Sequence, residues 1–133
     1  MSQKNVEIAR RAYAALAEEG IESMLAYTDP EFEVTTPPSL ASEPNTFRGH
    51  DGIRRWFGAF SDGLEDVYFE GREFTDVGDH VLVETVLHAR GRTTGIDVEQ
   101  HAFILWTVRD GKAIKADVFA ERGPALEAVG LSE

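Results

Sequence analysis

Two histidines and two glutamates, set in two apolar stretches, are the residues of this chain best suited to moving a proton. His88 lies in VETVLHAR and His101 in VEQHAFILW, with Glu84 and Glu99 in the same two runs. An imidazole titrates near neutrality, and a second imidazole beside it in a half-dry pocket disfavours the doubly charged state. Such a pair can hold one proton and pass it on, and Glu84 on the same face would add a carboxylate with a raised pKa. The chemistry implied is general acid/base catalysis by His101, His88 and Glu84. The competing reading is an imidazole pair that lines a sheet end, bonded to itself and to Glu99. Two histidines with Glu99 or Glu84 would also make three metal ligands. No dense ligand motif accompanies them, and no metal is expected. No phosphate loop, Ser–His–Asp arrangement or dinucleotide fingerprint occurs, so no cofactor is expected either.

These side chains act together only if the elements that carry them fall into register. The apolar residues Val6, Ala9, Tyr13 and Leu16 share one helical face, and Gly20 stops that helix. Residues Ile21 to Tyr27 predict a short second helix, ended by TDP at Thr28 to Pro30, because the residue before proline resists helical angles. EFEVTTPP reads as a short strand that Pro37 and Pro38 cannot continue, and SLASEPN as a polar, mobile loop. Ile53, Trp56, Phe57, Phe60 and Leu64 form the apolar stripe of a third helix. After Gly63 the period becomes two. Strands are expected at Asp66–Asp76, His80–Arg90, Asp97–Val108 and Lys112–Ala120, with a last helical turn from Pro124 to Gly130. Helices followed by a meander predict an α+β fold, with helices packed on one face of an antiparallel sheet.

A two-residue turn at Asp110-Gly111 pairs Leu105 with Ala116, Phe103 with Val118 and His101 with Ala120. Ile114, Ala116 and Val118 are the apolar set of the last strand and should face the helices. That choice turns His101, Phe103 and Leu105 inward. A turn at Thr94 and Gly95 then sets Arg90 against Glu99, His88 against His101 and Val86 against Phe103, with Glu84 opposite Leu105. The expected pocket is walled by Trp56, Phe57, Phe60, Val86, Phe103 and Leu105, with Phe69 deeper in and the Tyr13 hydroxyl available to a ligand. The outer face would hold Val83, Ile104, Trp106 and Phe119. That patch is too apolar to stay wet, and it predicts a homodimer through the outer face.

Composition narrows the partners. The 133 residues suffice for one domain, 1–133, and 42% hydrophobic content is ordinary for a folded core. A net charge of −11 disfavours nucleic acid and anionic membranes. The absence of cysteine removes disulfides and thiol chemistry. MSQKNVEIARR has no apolar run of signal-peptide length, and a cytoplasmic protein is expected.

ARRAYAALAEEGIESML, FRGHDGIRRWF, VGDHVLVETV, WTVRDGKAIKADVF and ALEAVGL, in that order, resemble the SnoaL-like branch of the nuclear-transport-factor-2-like superfamily. The resemblance runs from about Val6 to Leu131. It implies a cone-shaped, curved sheet with helices on its concave face, an apolar pocket between them, and dimers through the outer face. Steroid isomerases of this fold use a tyrosine and two aspartates, which fall here on Ala12, Thr36 and Phe103 or Leu105. None of these can do that work. Related cyclases and epoxide hydrolases keep aspartates on the sheet, for which Asp117 is the candidate on the last strand, turned outward unless a bulge reverses it. Three classes remain open: cofactor-free acid/base chemistry on a small apolar molecule, a non-catalytic small-molecule binder, and a dimeric interaction module.

Overall fold

The computed structural model describes residues 2–36 and 45–130, with the backbone alone at 2–3, 45 and 59–61. The expected SLASEPN loop lies outside the described residues, except for Asn45. Helix α1 runs Ser2–Glu19 and α2 Ile21–Met24, continued by a 3-10 turn at Leu25–Tyr27. Strands β1 (Thr28–Thr36) and β2 (Asn45–Arg48) precede α3 (Gly49–Ser61). The meander follows as β3 (Leu64–Val77), β4 (His80–Gly91), β5 (Asp97–Arg109) and β6 (Lys112–Phe119), and α4 is Arg122–Glu127. Leu64, expected at the end of the third helix, instead opens β3 after the left-handed Gly63. The six strands form one curled sheet in the order β2-β1-β6-β5-β4-β3. Every pairing is antiparallel except β1 with β6, which run parallel.

Helices α1 and α3 cover one face of the sheet. Val6, Ala9, Tyr13 and Leu16 of α1 pack with Ile53 and Trp56 of α3 on Phe32, Val34, Phe69, Val81, Val83, Ile104 and Trp106. These apolar side chains leave water together, and that burial is the principal favourable term in such a core. The opposite face carries a smaller cluster, in which Ala125 and Leu126 of α4 bury Leu82 and Leu105 with Phe103 and Phe119 alongside. No helix among the described residues is long and apolar enough to cross a membrane.

The strand registers correct the expected site. The Asp110-Gly111 turn forms as expected, both residues at positive φ (51° and 80°), and Arg109 pairs with Lys112. Between the pairs Val108–Ala113 and Thr107–Lys115, however, Ile114 is an extra residue in β6. This bulge shifts the pairing by one, so Leu105 meets Asp117, Ile104 meets Val118 and Phe103 meets Phe119. Ala116 and Val118 do face the helices, but their partners on β5 are Trp106 and Ile104. A one-residue shift exchanges the two faces of a strand. The β4–β5 loop is also longer than expected: Arg90 pairs with Asp97, His88 with Glu99, Val86 with His101 and Glu84 with Phe103. That two-residue slip preserves the faces. His101, His88, Glu84, Val86, Phe103 and Leu105 therefore all lie on the side away from α1 and α3. Asp117 shares that side, bulge included.

Val83, Ile104 and Trp106, expected on an exterior dimer patch, are core residues at 0%, 3% and 5% exposure. The Trp106 indole donates to the Tyr13 hydroxyl at 3.1 Å, and Tyr13 lies 2.7 Å from the Thr85 hydroxyl. Thr85 in turn donates to the Val83 carbonyl at 3.2 Å. Each proton then has an acceptor, with Tyr13 donating to Thr85. Burial pushes the Tyr13 phenol far above its ordinary pKa, so it stays neutral. Gly71 faces this network, and a methyl group there would overlap the Phe74 ring that meets Tyr13 edge-on.

Two expected outcomes follow from this packing. Tyr13→Phe strands the Trp106 N–H and should cost ~1–3 kcal/mol in denaturant unfolding, with a native-like circular dichroism spectrum. Trp106→Glu buries an unpaired carboxylate and should lose ~4 kcal/mol or more. A folded monomeric Trp106→Glu protein would contradict this placement.

Candidate functional site

The helix-facing side of the sheet is not equally covered along its length. Next to the Tyr13 network the registers set Ala102, Thr85 and Gly71 in one row across β5, β4 and β3. Gln100, Leu87 and Phe69 form the following row, and Val98 and Ala89 the one after it. Small residues thus make much of this floor. From α3 the Trp56 ring stands 5.8 Å from that of Phe69, and Phe57 stands 6.1 Å from the same ring. Phe57, Leu87 and Ala102 touch the core but remain half-buried, and Gln100 is exposed. The side chain of Phe60, also expected in this wall, lies outside the described residues. Trp56 Nε1 donates to Thr36 Oγ1 at 2.8 Å, which ties α3 to the end of β1.

The buried polar side chains among the described residues are Thr28, Thr36 and Thr85, and the buried titratable one is Tyr13. No carboxylate or imidazole is buried among them. Beneath the middle of α1, Ile8, Ala12, Tyr13, Met24, Trp106 and Val108 border a recess of about 20 Å³. That is room for a water molecule, far below the several hundred cubic ångströms of a ligand site.

The two histidines do come together, on the outer face and through a carboxylate. His88 Nε2 is 2.7 Å from Glu70 Oε1, and His88 Nδ1 is 3.9 Å from Glu99 Oε2. His101 Nε2 lies 3.2 Å from Glu99 Oε1, and the Tyr68 ring stacks on His88 at 4.8 Å. The hydrogen bond from His88 holds the Glu70 carboxyl below its ordinary pKa, with Arg72 adding to the effect. Among the described residues, no group of three or more His, Asp or Glu side chains is arranged to hold a metal ion. Glu84 is opposite Glu73 and Phe103, outside these hydrogen bonds. Val86 is fully buried beneath the cluster, while Leu105 and Phe103 lie under α4. Half-buried Asp117 has its pKa raised by desolvation, partly offset by Lys115.

The structure therefore divides the expected site. Tyr13, Trp56 and Phe57 belong to the helix-facing side; His101, His88, Glu84, Val86, Phe103 and Leu105 belong to the other. Thr36 and Thr85, outside the expected site, are buried on the helix-facing side. The period-two alternation of β4 was a usable signal, since Val81, Val83, Thr85, Leu87 and Ala89 form its less polar face.

Comparison with known proteins fits this architecture. TerC, co-crystallised with polyporic acid, is 25% identical and superposes with a TM-score of 0.75 over 95% of this chain and 98% of its own. An NTF2-like protein of Burkholderia pseudomallei is 17% identical with a TM-score of 0.74, over 96% and 98% of the two chains. A ketosteroid-isomerase-like-fold protein of Catenulispora acidiphila, solved with trimethylamine, is 18% identical with a TM-score of 0.72, over 94% and 93%. No curated protein matches the chain. The model of the SnoaL-like domain matches residues 9–116, four-fifths of the sequence, and the chain belongs to that family.

Proposed function

We propose that this single-domain protein binds a small apolar molecule, without a cofactor, at the half-covered end of its helix-facing sheet. The observation that carries this reading is the aromatic wall of buried Trp56 and Phe69 with half-buried Phe57, over an apolar floor of buried Ala89 and half-buried Ala102 and Leu87. Apolar walls with few polar groups are the usual lining of small-molecule sites. TerC, similar over nearly its whole length, was crystallised with a small molecule, polyporic acid. Binding is favoured over acid/base chemistry because the described buried residues supply no group that exchanges protons near neutral pH. Catalysis by His101, His88 and Glu84 is the second reading. It has the hydrogen-bonded Glu70–His88 pair in its favour, and it would place the substrate on the outer face. A cytoplasmic setting accords with the acidic, cysteine-free composition.

Naphthalene is a suitable probe. Its addition should shift the amide resonances of Phe57, Leu87 and Ala102, and Ala102→Trp should weaken binding by roughly ten-fold or more with the fold retained. Shifts confined to the strands around His88 would favour the second reading. Self-association through the outer face now rests on Phe103, Phe119 and Val129 beside α4, not on Trp106. Light scattering should give about twice the 14.7 kDa chain mass, and a monomer at micromolar concentration would refute it.

A further inference from the structure

The proposed apolar site has one polar feature that the packing leaves unexplained. Thr36 is 92% buried, since 8% of its surface is exposed. Its hydroxyl oxygen accepts the Trp56 indole proton at 2.8 Å. The hydroxyl's own proton has no acceptor among the described residues. The other two buried threonines differ: the Thr85 proton goes to the Val83 carbonyl and the Thr28 proton to the Leu25 carbonyl. A buried donor without an acceptor costs free energy, and in a folded protein it calls for a reason.

We propose that Thr36 is the donor that recognises a neutral acceptor oxygen, a carbonyl of an aromatic ligand, at this site. The inference rests on the binding reading above and adds the ligand's polar group. Three features support it. The hydroxyl is joined to the indole whose ring stands 5.8 Å from Phe69, so a donor sits at the edge of the aromatic wall. Accepting the Trp56 proton polarises the Thr36 O–H and makes it a better donor. A ligand carbonyl needs only one donor, while its apolar body supplies the remaining contacts. The net charge of −11 favours a neutral oxygen over a carboxylate. Threonine does not ionise near neutral pH, so its contribution is selectivity and orientation, with no proton removed from the ligand.

The test compares 2-acetylnaphthalene with 2-ethylnaphthalene, which has nearly the same shape and no acceptor. The ratio of their affinities should fall roughly five-fold in Thr36→Val and be kept in Thr36→Ser, the amount expected for one neutral hydrogen bond. Infrared spectroscopy of the wild-type complex reads the same contact without any substitution. The carbonyl stretch of bound 2-acetylnaphthalene should lie below its value in hexane. If both probes bind but the stretch matches hexane and the ratio is the same in all three proteins, Thr36 is not the donor and the apolar site stands. If wild-type protein binds neither probe, the binding reading itself fails.

Discussion

The contact on which the rest of this structure depends is the buried hydrogen bond from Trp106 to Tyr13. It joins the first helix to the middle of the sheet across 93 residues of sequence and continues through Thr85 to the backbone of β4. In a low-dielectric interior each of these groups would be costly to leave unpaired, so the chain admits one seating of α1 on the sheet. Gly71 permits the close approach of Phe74, which places a second ring edge against Tyr13. With α1 fixed over β3 and β4, and α3 held to β1 through Trp56 and Thr36, the space between the two helices is set by the fold.

Trp106 can reach Tyr13 only because of Ile114. Without the extra residue in β6, Ala116 would pair with Leu105, and a sheet with Ala116 inside would turn Trp106 outward. The bulge reconciles two constraints: a two-residue turn at Asp110-Gly111, and apolar faces on both β5 and β6 that must meet the same helices. On the far face the same shift brings Leu105 opposite Asp117. There α4 covers Leu82 and Leu105 and leaves the carboxylate half-buried. A single inserted residue thus decides which side chains are core and which are exterior.

This explains what was legible in the sequence and what was not. The helix-to-meander order, the Asp110-Gly111 turn, the inward faces of α1 and of Trp56, and the outward Asp117 are local properties, and each was readable. The faces of β4 and β5 were readable as well, from their own alternation. Val81, Val83, Thr85, Leu87 and Ala89 are nearly all apolar, whereas His80, Glu84, His88 and Arg90 occupy the alternate positions. Extending an ideal hairpin from β6 overrode that signal, because a bulge has little mark in the sequence: Ile114 is apolar on either reading. The short strand β2, Asn45–Arg48, was hidden for another reason. Its four residues lack a clear alternation and form a strand by pairing with the end of β1. The hydrogen bond from Trp56 to Thr36 was hidden too, because it is a long-range contact that no local pattern encodes.

The sorting of charge between the two faces bears on what kind of function the fold can support. Ionisable groups other than Tyr13 are kept out of the described core, and His88 and His101 are paired with carboxylates on the outer face. Burying an unpaired ion costs several kilocalories per mole, so the interior of a small domain holds a catalytic acid or base only when a neighbouring group compensates it. A hydroxyl in a buried position requires only hydrogen bonds. It can be held by a neighbouring indole and still offer a proton to an incoming oxygen. The recognition proposed for Thr36 therefore requires no buried charge, which sets it apart from proton transfer.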